Sequence, residues 1–431
     1  MERQPLTTKT MKVLTNLFRM SLCLLLVCAG FTSCSDEDND NQEIKLPENA
    51  LNISDGNLTI DINGESAETG TAVLTPTGNN TASLTLANVV TGFSTVTMDV
   101  QLKATGNGSC TFSGNQDITG PVSMFPKVTG RNQPVASIMS VKVDGAISEQ
   151  GTAQMTITTT LSQSAQKGLA GEWKPYGSCD VNVLTGSISK APLMLDWTFT
   201  SDNIGNQFIG NLITPIVASN FYQALKSISL NTNGTITITY WKDAQFDISN
   251  FTTGAYKEPT HDNWETETTE NCMWYADDDY IYLVPNLAAL LADYHEDKNE
   301  DVTSNTSLPQ LSTFDLSSIV TMLKDKYGID PIALGTTLEK WNSTGIPLKY
   351  TVKDNEVCIY IDKEMADPVI AILITALPSL DKILQAYLQQ NPDKVELAST
   401  ILSILGMQQL SDFENLWNNT KTFTISVNLT K

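Results

Sequence analysis

Arginine is almost missing. Past residue 34 the chain holds one, Arg131, and acidic residues outnumber basic ones 48 to 26, for a formal charge of −22 over 431 residues. Nucleic acids and phosphates are gripped by basic surfaces with forked guanidinium donors, so those partners are set aside. Histidine is nearly as scarce, with only His261 and His295. There is no HExxH, no GxSxG elbow, no P-loop and no GxGxxG. A serine triad needs a histidine beside a nucleophile and an acid, and the spacing offers none. Cys110, Cys179, Cys272 and Cys358 lie far apart, without CxxC or Cys/His metal spacing. In an oxidising compartment these four cysteines allow three pairings; burial as small hydrophobes is the commoner fate. No cofactor or metal is implied. No apolar run reaches the roughly 20 residues of a spanning helix. Aromatics are absent from most of the first part: residues 45–165 contain only Phe93, Phe112 and Phe125, and every tyrosine and tryptophan follows position 170.

What is present begins with an address. Lys12 and Arg19 precede a short apolar stretch, Met20 to Phe31, and Thr32-Ser33-Cys34 closes it. The pattern is that of a secretory leader, with Met11 a second candidate start. Its end resembles the lipobox of bacterial lipoproteins. That resemblance implies a diacylglycerol on the Cys34 sulfur, palmitate-type chains and cleavage that makes Cys34 the first residue. A thiol suits this because it is alkylated more readily than a hydroxyl; two or more acyl chains anchor stably. The alternative is cleavage nearby with Cys34 left free. Removing residues 1–33 takes away +3 and leaves −25. Ser35-Asp36-Glu37-Asp38-Asn39-Asp40 then opens an acidic tether, 34–47. An acidic run at this place resembles the surface-export signal of Bacteroidetes lipoproteins, which implies a body facing outward from the outer membrane. The periplasmic face is the other reading.

About 400 residues remain, too many for one core, and two domains are expected. Residues 48–165 alternate apolar and polar positions with period two, as in Leu58, Ile60 and Ile62, then Val96, Met98 and Val100. Asn63-Gly64, the "TGNGSCTF" stretch and Asp144-Gly145 read as turns. Residues 169–431 mix strands with helices. "GTITITYW", "NCMWYADDDYIYLV", "IPLKYTVKDNEVCIYID" and "KTFTISVNL" are strands or hairpins, the last with Phe423, Ile425, Val427 and Leu429 inward. Helices are expected over 204–225 with a bend at Pro215, after Ser312 and Asp315 through Leu316 to Tyr327, from Asp330-Pro331, along Leu380 to Leu388, and after a Ser411–Glu414 capping box. The fold class is α+β: an N-terminal all-β sandwich or barrel domain followed by a larger antiparallel barrel-like domain with helical insertions. Gly171-x-Trp173 resembles the opening motif of calycins, the lipocalin-like barrels, and the whole chain resembles a Bacteroidetes outer-membrane lipoprotein family of unknown function with calycin-like domains. In lipocalins a late-strand arginine covers that tryptophan; here none follows Arg131.

Four stretches could carry function. "ADYHEDKNEDV", 292–302, offers hard oxygen ligands for calcium but lacks EF-hand spacing, so a solvated acidic loop is favoured. "ADPVIAILITALP", 366–378, is either a lipid-contacting segment or a buried core helix, and its length favours the second. Carboxylates are numerous enough for a glycosidase pair, but none stands in a recognisable context. Residues 244–270 form a long aperiodic connection with Phe246, Phe251, Tyr256, His261 and Trp264, and such loops are usually functional or disordered. Its aromatics either stack on sugar faces or pin the loop to the barrel. The candidate ligand-binding set is Trp241, Phe251, Tyr256, Trp264 and Trp274, with Cys34 as the lipidation site. The expected function is non-catalytic binding of a glycan or small apolar molecule by a membrane-anchored protein. The alternatives are an accessory subunit of an outer-membrane protein and a carboxylate hydrolase.

Overall fold

The computed structural model describes residues 44–93, 95–106, 108–119, 137–199, 208–269, 272–285, 335–337, 341, 344–392 and 395–431. The leader, Cys34, the 292–302 segment and the helices expected between 312 and 334 lie outside the described residues. Ile44–Lys431 is one compact unit.

Nine strands form the first sheet: β1 (Leu51–Asn52), β2 (Leu58–Ile62), β3 (Glu65–Ser66), β4 (Thr71–Gly78), β5 (Thr81–Ala87), β6 (Thr95–Gly106), β7 (Ser109–Thr119), β8 (Ser137–Ile147) and β9 (Ala153–Leu161). Their order is β1-β4-β5-β6-β7-β8-β9-β2-β3, a half-barrel in which β2 runs parallel to β9. Alternation builds it. In β9, Ala153, Met155, Ile157, Thr159 and Leu161 are buried and the residues between are exposed. Asn63 and Gly64 both take positive φ, 55° and 95°, in the two-residue turn from β2 to β3. Asp144-Gly145, expected as a turn, instead lies inside β8. Gly145 stands opposite Phe112, and a Cβ there would come within 2.3 Å of the ring. The glycine makes room for an aromatic; the turn falls later, where Gly151 N–H donates to Ser148 O.

A four-residue helix, α1 (Gln163–Gln166), capped by the Ser162 hydroxyl, leads to the second part. There β10 (Gly171–Pro175), β13 (Leu193–Phe199), β14 (Leu225–Leu230), β15 (Ile236–Trp241), β17 (Trp264–Thr269), β18 (Cys272–Ala276), β19 (Tyr280–Pro285), β20 (Ile346–Lys353), β21 (Glu356–Asp362) and β22 (Thr420–Thr430) make a nearly closed antiparallel barrel. Its order is β17-β15-β14-β10-β22-β21-β20-β19-β18, with β13 also on β22. The far ends approach where Trp274 N–H donates to Gly234 O at 2.9 Å. A small third sheet, β12-β11-β16, joins β11 (Ser178–Val181), β12 (Ile188–Lys190) and β16 (Gly254–Ala255).

β22 is the hinge of this arrangement. It pairs with β21 along its length, and its other edge serves β13 and then β10. That crowding breaks the expected inward alternation: Ile425 is exposed, while Ser426 and Asn428 are buried. Asn428 is satisfied there, its Nδ2 donating to Ala191 O at 2.7 Å. Trp173 is buried and donates to Leu169 O at 2.7 Å. The cation over its ring, 4.6 Å from the centroid, is the ammonium of the last residue, Lys431.

The helices pack against β13, β21 and β22. α2 (Phe208–Ala224) contains Pro215 and presses on β13 so closely that a Cβ at Gly210 would meet Leu195 O at 2.5 Å. α3 (Lys363–Gln390) starts at an Asp362 cap and includes Pro368 and Pro378. α4 (Val395–Ile404) and α5 (Phe413–Asn418) follow, the latter after a short 3-10 turn, Leu410–Asp412. α3 corrects the expectation of a buried core helix. By length and composition it could cross a bilayer, yet Ala366, Ile372, Ala376 and Leu377 are buried while Val369, Leu373, Ile383 and Tyr387 stay exposed. Polar ties hold it: Asp367 accepts from Trp417 Nε1 at 3.0 Å, and Asp381 accepts from Leu410 N at 2.6 Å. Ser411 does not begin the expected capping box. Its hydroxyl goes to Asp381, and the box is Gln409 with Asp412.

The two sheets expected as separate domains share one buried cluster, from Leu51 to Leu429. Leu161 N donates to Thr232 O at 2.7 Å, and the Thr159 hydroxyl donates to Asn233 O at 2.8 Å, joining β9 to the β14–β15 turn.

Candidate functional site

In β15 Ile236, Ile238 and Tyr240 alternate with Thr237, Thr239 and Trp241, so the strand has two chemically different faces. Ile236 is buried in the core and Ile238 packs against it. The other face matches β17 pair by pair: Thr237 with Thr268, Thr239 with Thr266, and Trp241 with Trp264. Directly opposed residues share a face. The hydroxyls bond across, 2.8 Å for Thr237–Thr268 and 3.0 Å for Thr239–Thr266. A ladder of hydroxyls thus ends in two tryptophans.

His261 completes this end. Its ring lies flat on Trp241, with centroids 3.8 Å apart and planes 6° from parallel, and meets Trp264 edge-on at 5.3 Å. Its Nε2 is buried and has no hydrogen-bond partner among the described residues. The Lys226 ammonium stands 5.6 Å from the Trp264 ring centroid. On the opposite face Tyr240 donates toward Glu265 at 3.4 Å and Glu267 at 3.3 Å, and Lys242 pairs with Glu265 at 3.2 Å. Desolvation first, then these two carboxylates, raise the Tyr240 pKa.

The long connection is shorter than expected, because six of its residues, Trp264–Thr269, form β17. That strand is a sheet edge, largely exposed, so no apolar alternation marks it. The remaining loop is tied down. Asp247 N donates to Asn220 Oδ1 at 2.8 Å, and Asn220 Nδ2 returns a bond to Asp247 O at 2.9 Å. Asp247 also accepts from the Ser249 hydroxyl and N–H, which hold its carboxyl below its ordinary pKa. Tyr256 stacks on Tyr222 with centroids 4.9 Å apart, and its N–H donates to Gly177 O at 2.9 Å.

The structure divides the sequence-derived set. Trp241 and Trp264 come together. Tyr256 pins the loop, its hydroxyl pKa raised chiefly by burial. Phe251 is 53% exposed. Trp274 is fully buried in the core, donating to Asn231 O at 3.0 Å, and reaches no surface. Lys226, the threonine ladder and the stacking of His261 were not anticipated. The doubled Thr-x-Thr of "TITITYW" and "WETETT" was the visible signal for the ladder.

Among the described residues no group of three or more His, Cys, Asp or Glu could hold a metal. All four described cysteines are free thiols. Burial raises the pKa of each, Cys272 to about 11, away from a reactive thiolate. Backbone N–H groups of Gln408 and Gln409 hold the Asp412 carboxyl below its ordinary pKa. Comparison with protein-family models, with curated proteins and with solved structures finds no match for this chain.

Proposed function

We propose that this chain is a lipid-anchored envelope protein that binds a glycan without chemical turnover, on the outer face of β15 and β17. The lipobox-like Thr32-Ser33-Cys34 supports the anchor, and the acidic run after it supports display on the outer face of the outer membrane. One observation supports the ligand class above others: a hydroxyl ladder leading into the Trp241–Trp264 pair. Sugars present apolar ring faces edged by hydroxyls. Indole stacks on the first, and threonine hydroxyls and Lys226 donate to the second. The ladder is rigid before binding, so little ordering cost opposes association.

Titration calorimetry of residues 44–431 against a panel of neutral and acidic oligosaccharides tests this reading. A binding glycan is expected to lose about tenfold or more in affinity when Trp264 becomes Ala, since a stacked aromatic contributes about 1–3 kcal/mol. Absence of binding across the panel would transfer the proposal to an accessory role beside an outer-membrane protein. Mass spectrometry of the native N-terminus tests the anchor separately.

A further inference from the structure

The turn between β11 and β12 displays the two most exposed large apolar residues of the described structure, Val183 at 93% and Leu184 at 92%. Turn tips ordinarily carry Gly, Pro, Asn, Asp or Ser. Here the polar residues sit beneath the tip and hold it. Asn182 Oδ1 accepts from Leu184 N at 2.9 Å and from Thr185 N at 3.3 Å. Asn182 N–H donates to Ser187 O, and Gly186 N–H donates to Asn182 O, each at 2.8 Å. The hydroxyls of Thr185 and Ser187 bond at 2.7 Å. The two aliphatic side chains are therefore presented by a built turn.

A second loop brings apolar side chains to the same end of the small sheet. β16 runs antiparallel to β11, with Cys179 opposite Gly254 and Ser178 opposite Ala255. The residues before Gly254 therefore lie toward the end where β11 enters its turn. Phe251 comes from there, 53% exposed, and Phe246, 66% exposed, precedes it on the loop fastened through Asn220 and Asp247. Val181, at the end of β11, is exposed as well. The sheet is fixed to the barrel by a Lys190–Glu356 ion pair at 2.7 Å and by Asn428 on Ala191 O.

We propose that Val183, Leu184, Phe246 and Phe251 form an apolar rim that inserts shallowly into a lipid bilayer. This rests on the lipid-anchor reading for the presence of a membrane. Nine residues, Ser35 to Glu43, separate the cysteine from the first described residue, Ile44, a reach of at most about 35 Å. An anchored body is thereby kept within a bilayer's reach, at high effective concentration. A body of charge −25 gains nothing by attraction to anionic lipid, so a second hold must be apolar. The rim supplies aliphatic and phenyl tips, and no charged residue lies between Val181 and Ile188.

The test is co-flotation of residues 44–431, which cannot be acylated, with phosphatidylcholine vesicles. Binding is expected, little changed by salt, and reduced about tenfold or more in V183D/L184D. Circular dichroism and oligosaccharide affinity should be unchanged in that variant. Failure of the parent to float, or equal flotation of the variant, would overturn the proposal. So would a dimer in the parent that the variant abolishes without any vesicle binding, since the rim would then join two copies. None of these outcomes depends on whether Cys34 is acylated.

Discussion

Gly145 shows how a single residue can be legible in kind and misread in role. A glycine after an aspartate signals a turn, but here it clears space for the Phe112 ring opposite. Gly145→Ala should destabilise the protein by about 1–3 kcal/mol through overpacking, measured as a lower urea midpoint at unchanged slope. Cys272 offers a pH test. Its folded pKa, about 11, stands above the ordinary 9.0 because burial disfavours the thiolate. The sign follows: its contribution to stability is complete below pH 9 and is lost as pH rises toward 11. Native protein should therefore resist thiol alkylation at pH 8 and react after unfolding, and Cys272→Ala should flatten the stability profile between pH 9 and 11. Among the candidate residues, Trp241 and Trp264 stood out because aromatics are scarce, and they are cross-strand partners. Trp274 stood out equally and went to the core. Residue type alone does not tell an indole that is buried in the core from one that stays partly exposed.

At the scale of elements, strands were readable wherever one face is apolar and the other wet, as in β6 and β9. β17 was not, because an edge strand exposed over most of its surface carries no period-two signal. β22 was recognised as a strand, yet its burial pattern was misjudged, because three strands share it. Asn428 carries the consequence. With its side-chain amide buried against Ala191 O, Asn428→Ala should cost about 1–3 kcal/mol by orphaning a buried acceptor, seen as a lower thermal midpoint. Asn428→Leu should be no better, since shape is restored but the bond is not. α3 was found as an apolar helix but expected to be buried. Only Ala366, Ile372, Ala376 and Leu377 among its described residues are buried, and Asp367 and Asp381 are bonded to the segment that follows it.

For the whole molecule, the continuous core across both sheets predicts cooperative unfolding. Calorimetry of residues 44–431 should give one transition; two separated transitions would mean that the half-barrel and the barrel are energetically independent. Local sequence was enough to determine the fold class and the Asn63-Gly64 turn with its positive φ, since alternation and backbone sterics act over a few residues. Tertiary structure alone decided that the two sheets share a core, that Lys431 covers Trp173, that Trp241 meets Trp264 and that β16 pairs with β11. Each of these depends on strand register between segments far apart in the chain, and register is set by which apolar faces must be buried together, a property of the assembled sheet.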